Sequence, residues 1–183
     1  MTEASYNIHN MGLALLEFDQ EYGRLPDDST ISKVEAKHPD TGIPMGKSSS
    51  NDYFRQLIAD EIAQSETMFY ARSPHTHSPD GNFLGPNALE KGECAFAYIA
   101  GLSSSSPPDT PIVLFPLLSG KRVFDYKLCR KNYNGRAVIL CVDNRVLALP
   151  VDKSGHVTVN GKGLFDPSQP FWDGKIPDVK WPG

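Results

Sequence analysis

His75 and His77, one residue apart and followed by Asp80, are the residues of this chain whose types and spacing most suggest a metal site. Alternate residues of an extended segment project to one side, so both imidazoles could reach one ion. No third and fourth ligand stands at a recognisable spacing, and the segment reads equally as a solvated loop. Nucleophilic chemistry has less to build on. The serine runs 48–50 and 103–106 lack the Gly-x-Ser-x-Gly turn that exposes a catalytic hydroxyl. His9 and His156 have no placed Asp or Ser partner. Neither a Gly-x-Gly-x-x-Gly step nor a phosphate-binding Gly-x-x-x-x-Gly-Lys step occurs. No enzyme is expected. Three cysteines, Cys94, Cys129 and Cys141, lack the Cys-x-x-Cys spacing of a zinc site and are too few for a disulfide scaffold.

The elements that would position these residues must fit in 183 residues, the size of one ordinary domain. A composition of 39% hydrophobic and 22% charged residues excludes a disordered chain. The net charge of −4, with no basic block to meet a phosphate backbone, argues against nucleic acid as a partner. No stretch approaches the roughly 20 apolar residues of a membrane span. Met1-Thr2-Glu3-Ala4-Ser5 has neither the cationic start nor the apolar centre of a secretory leader, so residues 1–183 read as one soluble domain.

Ile8, Met11, Leu15, Phe18 and Tyr22 recur at alternating steps of three and four, the single apolar stripe of an amphipathic helix. Gly23 can close that helix in the left-handed conformation, and Pro26 follows. Residues 24–50 read as a polar connection. A second helix is expected from Ser50 or Asn51, with Tyr53, Phe54, Leu57, Ile58 and Ile62 as its apolar face. Strands are expected at Met68–Ala71, Cys94–Ala100, Pro111–Phe115, Val146–Val151 and Val157–Val159, with a loop over 73–87. A hairpin is expected from Arg122–Arg130 through Asn134-Gly135 to Ala137–Val142. The tail from Gly161 reads as irregular, pinned by Phe171, Trp172 and Trp181 or offering them as a binding surface. Helices first and antiparallel strands after make the class α+β, with about four strands in the sheet.

The run Gly12-Leu13-Ala14-Leu15 through Glu21-Tyr22-Gly23-Arg24-Leu25-Pro26 resembles the end of the N-terminal helix of type II secretion pseudopilins and type IV pilins. Tyr53-Phe54-Arg55-Gln56-Leu57, Met68-Phe69-Tyr70 and Gly92–Leu102 follow in the order and spacing of a pseudopilin-like group common in the Planctomycetes–Verrucomicrobia lineage. Asp143-Asn144-Arg145-Val146 stands where that group usually has Asp-Gly-x-Val, and Asn also tolerates positive φ. The likeness covers roughly Asn10 to Val151. It implies a pilin-like roll: an N-terminal helix packed on an antiparallel sheet, with a second helix and long loops.

The same resemblance implies a truncated or processed form of a longer subunit, whose helix would continue upstream into the membrane. The function implied is structural, as the head of a type II secretion pseudopilus or type IV pilus-like filament subunit. Partners would be other pilin or pseudopilin subunits, the secretion or pilus machinery, and the inner membrane through the missing helical half. The head would lie in the periplasm or on an extracellular filament. Some pseudopilins hold calcium in a C-terminal loop, and Asp166, Asp173 and Asp178 lie in such a Pro-rich tail here, although at wider spacing than a compact calcium loop. No other cofactor is expected. In the hairpin, a three-residue loop at Asn134-Gly135-Arg136 would set Cys129 opposite Cys141 within bridging reach. A two-residue turn would put the two side chains on opposite faces. The oxidising envelope implied by the resemblance favours the bridge. A free-standing envelope or extracellular binding module, using the loops at 73–87 and 101–111, is the competing class.

Overall fold

The computed structural model describes residues 2–183. Four helices, α1 (Glu3–Tyr22), α2 (Ile31–Lys37), α3 (Ser50–Ala59) and α4 (Tyr126–Asn132), accompany strands β1 (Ala97–Ala100), β2 (Pro111–Phe115), β3 (Arg136–Cys141), β4 (Val146–Pro150), β5 (Thr158–Val159), β6 (Lys162–Gly163) and β7 (Asp178–Lys180). The main sheet is antiparallel in the order β4-β3-β2-β1-β7, and β5 and β6 form a separate ribbon. The class is α+β.

Helix α1 begins where Thr2 accepts a hydrogen bond from Ser5 N–H and ends where Gly23, at φ 75°, donates its N–H to Asp19 C=O. The expected stripe is its inner face: Ile8, Met11, Leu15 and Phe18 are buried and Tyr22 is half-buried. Gly12 sits among them because nothing larger fits. A Cβ there would lie 1.9 Å from Asn144 Oδ1 and 3.0 Å from Leu140 Cδ1. The missing side chain lets the β3–β4 turn, with Asn144 at φ 66°, close onto the helix.

Both faces of the sheet are covered, which explains the unbroken apolar runs in β1, β2 and β3. Tyr98, Val113, Phe115, Val138 and Leu140 face α1 and α3. Ala97, Ile99, Leu114, Ala137, Ile139 and Cys141 face a second layer made by α4 and the C-terminal tail. The tail is anchored by its aromatics. Trp172 Nε1 donates to Leu164 C=O at 2.7 Å, and Trp181 Nε1 donates to Lys121 C=O at 3.0 Å. Phe171 and Trp172 are buried, so of the two roles considered for them the pinning role is the one observed.

Several expectations are corrected. The hairpin expected over Arg122–Val142 is a helix followed by a strand. Asp125 caps α4 by accepting from Leu128 N–H at 3.0 Å, and α4 buries Leu128 and Cys129. Asn134 and Gly135 do take positive φ (52° and 72°), but their turn links α4 to β3. The Met68–Ala71 strand is instead the end of a 3₁₀ turn, Glu66–Phe69, opened by Ser65 accepting from Thr67 N–H. Helix α2 lies inside the segment read as a polar connection; it buries only Val34 and so shows no stripe. The sheet has a fifth strand, β7, which pairs Ile99 with Val179.

Candidate functional site

The outer face of α1 is the least ordinary surface of the molecule. Five large hydrophobic residues are exposed among those described, and three of them, Tyr6 (59%), Leu13 (51%) and Leu16 (40%), lie on this helix. At 100° per residue, positions 6 and 13 fall within about 20° of one another and position 16 about 60° further round. Helix α1 therefore has an apolar face sealed by the sheet and, on its open side, three large apolar side chains interspersed with exposed His9, Glu17 and Gln20.

The C-terminal ends of α1, α2 and α3 meet at one carboxylate. Asp60 Oδ1, its side chain fully buried, accepts from Tyr22 Oη at 2.7 Å and Lys37 Nζ at 2.9 Å, and lies 3.0 Å from His38 Nε2. Lys37 also pairs with Glu21. A carboxylate at a helix C-terminus opposes the macrodipole, and the Lys37 charge offsets that. Burial alone would push the Asp60 carboxyl up, but the hydrogen bonds from Tyr22 and Lys37 outweigh it and hold Asp60 below its ordinary range. The arrangement ties three helices together. A depressed folded-state value contributes stability above the unfolded value of about 3.9, and that contribution is lost as pH falls through the folded one. Asp60→Asn is expected to lower stability at pH 7 by about 1–3 kcal/mol and to flatten its decline below about pH 4. Urea unfolding from pH 3 to pH 7 reads both, and parallel pH profiles for variant and parent would refute it.

The other expected site residues are scattered. Cys94, Cys129 and Cys141 are all free and buried, Cys129 on α4 and Cys141 on β3. The Cys129–Cys141 bridge is corrected along with its hairpin, because a helix replaces the strand that would have set the thiols in register. Burial pushes the thiols up, Cys94 and Cys141 to about 11 and Cys129 to about 12, so they act as small apolar groups. Asp166 accepts from Ser168 N–H at 2.8 Å in a turn, Asp173 closes a 3₁₀ turn at φ 52°, and Asp178 lies in β7. These three carboxylates do not converge as the calcium expectation required. His77 has both ring nitrogens against carbonyl oxygens, Ser78 at 3.3 Å and Lys91 at 3.0 Å, which leaves none for a metal. His75, His77 and Asp80 are not grouped as the expected ligand set.

Asp80 instead joins two acids that the sequence reading passed over. Carboxylate oxygens of Glu66, Asp80 and Glu93 all lie within 4.8 Å of one another. Glu66 and Glu93 are each 1% exposed, while Asp80 is open to solvent. Glu93 accepts from Asp80 N–H (3.0 Å) and Glu90 N–H (2.6 Å), and Asp80 Oδ1 accepts from Asn82 N–H (2.7 Å). Glu66 Oε1 accepts from Leu89 N–H at 2.6 Å, but Glu66 Oε2 is buried with no hydrogen-bond partner. Burial pushes the Glu66 carboxyl up; the Leu89 and Gly81 N–H groups oppose this, and the charges of Glu93 and Asp80 add to it. The three acids are 13 or 14 residues apart in a segment without regular strands, so no periodicity could have joined them.

Compared with protein-family models, curated proteins and solved structures, the chain matches none.

Proposed function

We propose that this chain is the head of a pilin-like filament subunit, of the type II secretion pseudopilus or type IV pilus-like kind, which polymerises through α1. The observation that carries the reading is the three large apolar side chains exposed on the outer side of α1. A helix lying on the surface of a finished domain normally turns polar residues outward. Tyr6, Leu13 and Leu16 face outward here, opposite the stripe that packs on β3 and β4. A helix packed on its sheet along one side and on identical helices along the other needs apolar residues on both sides. The antiparallel sheet behind α1, the 3₁₀ turns and long connection after α3, and the aromatic-pinned tail give a compact head that such a helix could carry at a filament's surface. The arrangement also accords with the pilin resemblance at Gly12–Pro26, where Gly23 ends the helix in the αL conformation.

Leu13→Cys, introduced into the natural gene in its own host, tests this directly. Oxidative cross-linking is expected to give a ladder of multimers of this chain in the envelope or in sheared filaments. The same gene is expected to encode an apolar helical stretch of about 20 residues in frame ahead of residue 1. Cross-links confined to other proteins, or an upstream region without that stretch, would sink the reading.

A further inference from the structure

The Glu66, Asp80 and Glu93 carboxylates form a cluster that the filament reading does not use. Two observations separate it from an ordinary acidic surface. Two of its three members are withdrawn from water, each 1% exposed. One of them, Glu66, presents a buried oxygen, Oε2, with no hydrogen bond of normal geometry, Gly81 N–H being the donor nearest to the carboxylate besides Leu89 N–H. An orphan carboxylate oxygen costs free energy unless a cation or donor meets it. Leu89, Glu90 and Asp80 N–H serve the other carboxylate oxygens, and Gly81 N–H is the remaining backbone donor beside Glu66.

The geometry points to an ion. We propose that Glu66, Asp80 and Glu93 bind one calcium ion, which fastens together three points of the connection between α3 and β1. All the donors are oxygen, which selects a hard cation over zinc or copper. Ligands at 2.3–2.6 Å on opposite sides of Ca²⁺ stand about 4.6–5.2 Å apart. The three oxygens, all within 4.8 Å of one another, fit on such a sphere. Exposed Asp80 leaves an entry path and room for water ligands. Glu66 opens the 3₁₀ turn after α3, Asp80 sits mid-loop and Glu93 lies just before β1. An ion there would close two loops at once, in a stretch that has few backbone ladder bonds of its own. This inference stands independently of the filament proposal.

The test is thermal unfolding and calorimetric titration with CaCl₂ on protein stripped by chelator. At about a hundred times its dissociation constant, Ca²⁺ is expected to raise the melting temperature by roughly 5–10 °C, reversibly with EGTA. Asp80→Asn, a change at an exposed side chain, is expected to abolish the calcium response while leaving the metal-free melting temperature within about 2 °C. Glu66→Gln, whose amide can donate where Oε2 has no partner, is expected to abolish the response and to leave the metal-free protein as stable or more so. A merely structural Glu66 would lose stability instead. The double variant Asp166→Asn/Asp178→Asn is expected to respond like the parent. An unchanged melting temperature up to about 10 mM Ca²⁺ would overturn the proposal, since even weak extracellular sites saturate there. A response that survives Asp80→Asn, or one that disappears with the tail double variant, would overturn it as well.

Discussion

Phe54→Ala should destabilise the protein by about 3–5 kcal/mol and lower its melting temperature by roughly 6–20 °C. Phe54 is fully buried on the inner face of α3. Its ring stacks on Phe69 at 5.4 Å between centroids and meets Tyr98 edge-on at 5.2 Å. Tyr98 in turn contacts Tyr53 at 5.6 Å and donates its hydroxyl to Pro26 C=O at 2.7 Å. One ring therefore joins α3, the 3₁₀ turn that carries Glu66, the strand β1, and the segment just after α1. Truncation to alanine leaves a cavity bordered by other aromatic rings, which cannot collapse into it without giving up their own contacts. The aromatic pair geometries add to the loss beyond buried area. Leu84→Ala is the control, because Leu84 is 67% exposed and should change stability by no more than about 0.5 kcal/mol. Chemical denaturation of both variants decides the matter. A Phe54→Ala protein within about 1 kcal/mol of the parent would show that this cluster does not hold the helical layer to the sheet.

What could be read beforehand follows the reach of each physical signal. The α1 stripe and the four leading residues of the α3 face were legible because burial on one side of a helix writes a 3.6-residue period. The glycine that ends α1, and the left-handed Asn134, Gly135 and Asn144, were legible because positive φ restricts residue type locally. What those turns connect was not. Asn134-Gly135 has the same conformation whether a strand or a helix precedes it, and here a capping Asp125 started a helix seven residues long. Strand β7 has three residues and buries only Val179, too short for any alternation to show. The second layer, which covers the back of the sheet, was foreshadowed only by the bulky residues of the tail. Of the acidic cluster only Asp80 stood out, and with the wrong partners, because Glu66 and Glu93 reach it through an irregular loop and not along one element. Sequence spacing finds sites carried by one element and misses those assembled from a loop.

If α1 is the seam of a filament as proposed, Leu13→Glu/Leu16→Glu should leave the domain folded and abolish assembly. Both side chains are already half in water, at 51% and 40% exposure, so charges there cost the isolated domain little. Their effect on a filament is of another size. Burying the open parts of two leucines is worth about 2 kcal/mol per subunit contact, and a carboxylate left in an apolar seam adds a penalty of its own. Each 1.4 kcal/mol is tenfold in association, so the concentration needed to polymerise should rise by on the order of a hundredfold or more. The same helix supplies the internal comparison. Leu15→Ala removes a residue that is 1% exposed on the sheet side and should cost about 2–5 kcal/mol of folding stability. Folding and assembly are then read from opposite faces of one helix. Melting temperature and sedimentable or sheared filament in the natural host measure the two separately. If the double glutamate variant still assembles at parental levels, the outer face of α1 is not the seam, and its exposed leucines need a different occupant.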